Sequence, residues 1–243
     1  QPKLGAVQVR KQIANLSSNR WIQGQDAEMA LDALWQQQRI AIGGIGELRG
    51  NGQFIRRQAL KDCGGWNEKT ITDDLDLTLR LHLHDWDIHF TMYPFVQEEG
   101  VETAIALWHQ RNRWAEGGYQ RYLDYYQPLL RNRLGGRKSL DLFVFWVLQY
   151  ALPSATIPDT LLALLRHQPM LYAPLASLSV LLSVVGMSLG VRRIQRSALP
   201  TEGEPSGLSI APWLVLAKAL YGTFYMFHWL PVVASTTARM AVR

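Results

Sequence analysis

Residues 170–191 run without a single charged side chain. A helix needs about 20 mostly apolar residues to cross a bilayer core, so this stretch suits lipid better than water. Two other stretches must be weighed with it. Residues 210–234 are nearly as apolar but hold Lys218 and His228, which inside a bilayer must face protein, water or a headgroup. Residues 140–165 are interrupted by Pro153, Pro158 and Asp159 and could lie along the membrane surface instead of crossing. About three spans are therefore expected in residues 139–243, behind a polar region of residues 1–138. The mean hydropathy of −0.07 averages over that division.

Arg192, Arg193 and Arg196 follow the uncharged stretch. Basic residues concentrate on the cytoplasmic side of membrane spans, which places residues 1–138 in the cytoplasm and predicts a multi-pass integral membrane protein. A third crossing leaves Arg239 and Arg243 on the far side, against that bias, unless the last segment is re-entrant or interfacial. Residues 201–207, with Glu, Gly, Pro and Ser, read as a surface loop.

The net charge of +5 comes from 25 Lys and Arg against 20 Asp and Glu. The basic residues are scattered and no nucleic-acid module accompanies them, so no nucleic-acid partner is expected. Cys63 is the single cysteine, which excludes an intrachain disulfide and points to simple packing. The chain opens on Gln1 with no basic-then-apolar leader, and the expectation is that it begins inside a larger reading frame.

In the polar region, Val7-Gln8-Val9 reads as a strand. Met29, Leu31, Leu34 and Trp35 fall at partly helical spacing within residues 22–38. The glycine-rich residues 43–52 match neither a dinucleotide fingerprint nor a Walker sequence. Their plainer reading is backbone that turns or approaches closely; the functional one makes Gly50-Asn51-Gly52 a floor on which a sugar can lie. A short helix follows Arg56-Arg57 and ends at Gly64-Gly65.

Thr72 suits a helix N-cap, and Asp73, Asp74 and Asp76 suit the first turn, where unpaired amides favour carboxylates. A carboxylate fixed there has the direction a general base needs. His82, His84 and His89 alternate with Asp85 and Asp87, but their directions diverge, so surface and packing roles are expected over metal binding. A helix over residues 103–119 carries Gln110-Arg111-Asn112-Arg113-Trp114. These residues could be a solvated face with Trp114 as an interface anchor. Alternatively, the guanidinium forks hold a diphosphate and the indole offers a flat platform for a sugar or lipid glycerol.

Together these clusters resemble the membrane-bound family 2 glycosyltransferases, the group that includes cellulose synthase, hyaluronan synthase and several glycolipid synthases. Thr72-Asp73-Asp74 is similar to the family's T-E-D motif with Asp at the second position, and residues 110–114 match its Q-x-x-R-W motif. Gly50-Asn51-Gly52, Gly64-Gly65-Trp66 and Asp85-Trp86 fall in the expected order around them. The resemblance implies an α/β fold, the C-terminal half of a GT-A type domain in residues 1–138, followed by a transmembrane α-helical region. It implies an inverting hexosyltransferase with Asp74 as base, Thr72 and Asp73 in support, Arg111 and Arg113 at the diphosphate, and Gln110, Trp114, Gly50, Asn51 and Gly52 at the acceptor.

Family members also carry an upstream half whose D-x-D pair holds Mg²⁺ or Mn²⁺, and residues 1–49 supply no such pair. No metal ligand is therefore expected within this chain. The implied partners are a UDP-sugar donor, membrane lipids and a lipid or glycan acceptor. The short polar link and few spans resemble the monoglucosyldiacylglycerol synthase type, which moves glucose to diacylglycerol. A processive polysaccharide synthase, or an inactive membrane fragment serving as a binding module, are the alternatives.

Overall fold

The computed structural model describes residues 2–16, 19–197 and 211–242. The loop expected at residues 201–207, and Arg243, lie outside the described residues. The polar half is a mixed α/β unit. Strand β1 (Leu4–Ile13) sits at the centre of a three-stranded sheet, antiparallel to β2 (Gln53–Ile55) and parallel to β3 (Asp87–Glu98). Parallel pairing requires a long crossover. It is built from helix α1 (Arg20–Ala41), the glycine-rich loop, β2, α2 (Arg57–Asp62) and α3 (Asp73–Leu83).

Asn19 starts α1 by accepting the Trp21 N–H at 2.9 Å, which fills one of the open donors of the first turn. The helix is then buried on two sides. Ala6, Leu48, Ala59, Leu77, Leu81, Ile88 and Cys63 form a separate core between the sheet, α2 and α3, so Cys63 packs as expected. Ala27 and Leu31 of α1 pack instead on Met187 and Ala219 of the C-terminal half. The approach is close: a Cβ at Gly190 would collide with the Ala30 carbonyl oxygen, so only glycine lets these two backbones touch.

After β3 come α4 (Ala104–Asp124), α5 (Tyr126–Leu130) and α6 (Gly136–Trp146). A π turn at Val147–Ala151 joins α6 to α7 (Leu152–Arg166), followed by α8 (Ala173–Ser197), α9 (Pro212–Met226) and α10 (Trp229–Val242). Among the described residues two helices are long and apolar enough to cross a membrane: Gly136–Arg166, with 31 residues and a mean hydropathy of 1.4, and Ala173–Arg196, with 24 residues and 1.9. Leu161, Leu164, Leu165, Leu178 and Leu181 stand exposed on them, as lipid-facing residues do.

Two expectations change. The proline-interrupted stretch is continuous, because Pro153 falls in the first turn of α7 just after the π turn, where a missing N–H is tolerated. The third apolar stretch is not one span but two short helices of 15 and 14 residues, α9 and α10. Pro231 falls in the first turn of α10, where it has no N–H to carry the α9 ladder onward, and the Phe227 carbonyl instead accepts the Leu230 N–H at 3.1 Å. Lys218 of α9 pairs with Asp26 of α1, and Arg239 of α10 donates to Asn112 Oδ1 of α4 at 2.7 Å. Arg239 therefore packs against α4 of the polar half.

Candidate active site

Helix α3 begins where Thr72 and the acidic turn place it, but Thr72 does not cap with its side chain. It packs instead against α4: a Cβ at Gly117 would collide with the Thr72 side chain. Gln120 of α4 reinforces the contact by accepting the Ile71 N–H at 2.9 Å, and Tyr125 O–H donates to buried Asp76 at 2.7 Å. Asp76 also takes Arg80 at 2.6 Å, so this third aspartate is a structural anchor. Gly117 and Trp114 are three residues apart and share a face of α4. Gly117, just beyond the second motif, thus brings α4 against the start of α3.

Asp74 is half-buried on α3 and Asp73 is exposed. Its Oδ1 accepts the Leu75 N–H at 2.9 Å, leaving Oδ2 for other work. Burial pushes the Asp74 carboxyl above its ordinary value, and the neighbouring Asp73 adds to this, while the Leu75 amide, Arg49 and Lys11 pull the other way. A carboxylate raised mainly by desolvation is suited to accept a proton. Gly50 (φ +80°) faces it: a methyl placed there would sit 3.8 Å from Asp74 Oδ2.

The glycine passage divides by role. Gly50 borders the carboxylate, whereas Gly52 is packed into the sheet, where a Cβ would meet Val96 Cγ2 at 2.6 Å and Val9 Cγ2 at 2.8 Å. Asn51 is exposed, and its carbonyl accepts from Gln8 Nε2 at 2.9 Å. Gln8 also accepts the Arg49 N–H at 2.7 Å. Thr78 ties the loop to α3 directly, since its Oγ1 accepts the Leu48 N–H at 2.9 Å and donates to the Asp74 carbonyl at 2.8 Å.

Beneath the loop, Glu47 is fully buried and meets three guanidinium groups: Arg121 at 2.7 Å, Arg49 at 2.8 Å and Arg39 at 3.0 Å. Burial opposes its charge, but Arg49, Arg121 and Arg39 outweigh that and hold its carboxyl well below the usual range. Asp141 closes the cluster on Arg39 at 2.9 Å. His82 lies below as well, bonded to the Gly46 carbonyl at 2.9 Å, and burial followed by the Lys138 ammonium pushes its imidazole down to about 4. His82 is thus a neutral packing residue.

The two motif arginines part company. Arg111 is buried, ion-paired with Glu28 of α1 at 2.5 Å, and its guanidinium carbon lies 4.1 Å from the Trp114 ring centroid and 5.3 Å from that of Trp229. Glu28 also accepts the Trp229 indole N–H at 2.9 Å. This places Arg111 inside the junction of α1, α4 and α10, away from solvent. Arg113 is exposed, and no ion pair engages it among the described residues. Gln110 is half-buried, with an Oε1 that has no hydrogen-bond partner. Trp114 is half-buried, with Arg111 against its ring and Lys11 Nζ 5.9 Å from its centroid.

Lys11 is what sequence reasoning missed. Its ammonium lowers the proton affinity of Asp74, lies 5.9 Å from the Trp114 ring centroid, and pairs with Glu98 at 2.8 Å. Arg49 and Thr78 were missed too; neither has a local pattern to announce it. Among the described residues no three His, Cys, Asp or Glu side chains converge to hold a metal ion.

Known proteins share this pattern. The family described as Glycosyl transferase family group 2 matches residues 1–240. The chain is 61% identical over 241 residues to a beta-monoglucosyldiacylglycerol synthase of Nostoc sp., covering 99% of this chain and 50% of that protein. It is 56% identical to the protein of that name from Synechocystis sp., covering 100% of this chain and 49% of the relative. A poly-beta-1,6-N-acetyl-D-glucosamine synthase of Staphylococcus epidermidis is 32% identical over 151 residues, 62% of this chain and 35% of that protein. The chain spans about half the length of the relatives it matches most fully. With the family's match running from residue 1 through residue 240, the chain belongs to glycosyl transferase family group 2.

Proposed function

We propose that this chain is the acceptor-side half of a GT-A type glucosyltransferase that moves glucose from UDP-glucose to diacylglycerol with inversion at the anomeric carbon. Asp74 Oδ2 takes the proton of the acceptor hydroxyl, the freed oxygen bonds to the anomeric carbon, and the bond from that carbon to UDP breaks with its electron pair leaving on the diphosphate. The observation that carries the reading is the position of Asp74. Its unbonded oxygen faces the open side of Gly50, its proton affinity is raised by burial, and the Lys11 ammonium that acts on it lies 5.9 Å from the Trp114 ring centroid.

Arg113, exposed on α4, is assigned to the leaving diphosphate. Arg111 supports Trp114 from behind, and Trp114 offers the ring on which the acceptor glycerol rests. Two crossings, α6–α7 and α8, keep the site at the cytoplasmic surface, where Arg192, Arg193 and Arg196 also lie. The lipid acceptor is favoured by the names and the 56–61% identity of the two synthases, against 32% for the polysaccharide synthase.

The test is synthesis by the polypeptide at the full length of its relatives, in membranes given UDP-glucose, a divalent cation and diacylglycerol. A β-glucosyl lipid is expected; product chains of many sugars reassign the protein to polymer synthesis, and no product supports a binding module. General-base assistance contributes roughly 10²- to 10⁴-fold, so Asp74→Asn is expected to lose that much in kcat while staying folded. Retained turnover removes Asp74 from the mechanism. Trp114→Ala is expected to raise KM for diacylglycerol more than for UDP-glucose, and equal losses contradict the platform role.

A further inference from the structure

A second opening, with a volume of about 890 Å³, lies beside β1 and β3 and shares no lining residue with Asp74, Lys11 or Trp114. One wall is apolar, formed by Val191 and Ile194 at the end of α8 where its basic residues begin. The other carries Arg10, which is only 5% exposed and stacked 4.8 Å from the Phe95 ring centroid. Among the described residues two polar atoms of this lining have no hydrogen-bond partner: Arg10 Nε and the amide nitrogen of Gln195. Both are donors. Lys218 adds an ammonium beside them, balanced by Asp26.

Buried donors without acceptors are costly, and unfilled donors beside two cations call for an oxygen-rich anion. The apolar wall at the end of a membrane-length helix calls for an acyl chain. Exposed Arg192, Arg193 and Arg196 at that end favour a negatively charged headgroup. We propose that this groove holds an anionic phospholipid, its phosphate on Arg10, Gln195 and Lys218 and its acyl chain along Val191 and Ile194. The site is separate from the acceptor site, and it rests on the reading that α8 crosses the bilayer.

The experiment measures lipid retained by the full-length polypeptide in detergent, using native mass spectrometry after exposure to phosphatidylglycerol or phosphatidylcholine. Phosphatidylglycerol is expected to be retained preferentially. Lys218→Gln and Gln195→Leu are expected to weaken it about tenfold each, and Ile194→Trp, which fills the groove, to abolish it. Arg10→Gln should do the same as Lys218→Gln if it folds, and the other three variants decide the matter if it does not. Equal retention of the two lipids overturns the proposal. So does retention indifferent to these variants, which is the result if another protein segment covers the groove, and so does equal competition by soluble glycerol phosphate. Asp74→Asn should retain phosphatidylglycerol while losing glucosyl transfer, so the two readings fail separately.

Discussion

Glu47 and Asp74 are carboxylates at the two ends of one packed unit, and the chain treats them in opposite ways. Glu47 is fully buried with three guanidinium groups at hydrogen-bond distance, and its charge is locked in. Asp74 is half-buried, keeps one oxygen unbonded, and feels Arg49 and Lys11 without a salt bridge to either. Saturating a buried carboxylate with partners fixes structure. Leaving one under-partnered raises its proton affinity and leaves it able to react. Arg49 is shared by both, so the rigid cluster sets the field in which the reactive group titrates.

The sharpest break of that contrast comes from removing Glu47. Glu47→Ala leaves buried Arg39 and Arg121 and partly exposed Arg49 facing one another, and losing one side of a buried ionic cluster costs about 3–5 kcal/mol. Against a total stability on the order of 5–15 kcal/mol, a large fall in Tm and in folded yield is expected. An unchanged melting curve would mean that the cluster is not structural. Asp74→Asn should do the reverse, leaving Tm in place while activity collapses.

A finer probe uses two glycines. Gly50 and Gly64 share left-handed backbone, at φ +80° and +81°, but only Gly50 has Asp74 within 4 Å of an added Cβ. Alanine at either position costs about 1–2 kcal/mol of backbone strain. Thermal denaturation should show matched losses, whereas glucosyl transfer should fall only for Gly50→Ala; equal activities would detach Gly50 from the site. The smallest effect is expected from Lys11→Gln. Lys11 lowers the proton affinity of Asp74, and the proposed mechanism needs Asp74 deprotonated, so removing Lys11 should move the acid limb of kcat/KM to higher pH. A shift to lower pH, or none, breaks the electrostatic link between them.

Much of the helical framework was legible because its signals are local. Thr72 marks a helix start, the acidic first turn of α3 follows the peptide dipole, and residues 170–191 read as a long apolar helix. Thr72 shows the limit of such signals: it stands at the predicted boundary, yet its side chain packs on Gly117 of α4 instead of capping. The π turn that joins α6 to α7 was not legible. The split of the last apolar stretch has a local mark that hydropathy passes over, Pro231 in the first turn of α10; only the fold shows how the two pieces are tied down, Lys218 to Asp26 and Arg239 to Asn112, between residues more than a hundred positions apart.

The sequence by itself determined which segments are helical, which are apolar, and which side chains have the chemistry for proton abstraction and anion binding. Periodicity, capping and hydrophobic length act between near neighbours, and so they are written along the chain. Only the tertiary structure decided that Arg111 is spent on Glu28 while Arg113 faces solvent, that the Lys11 ammonium acts on Asp74 and lies near Trp114, and that Glu47 gathers Arg39, Arg49 and Arg121. Desolvation and ion pairing depend on what surrounds a group from every direction. That surrounding exists only once α1, α4 and the glycine loop have closed on one another.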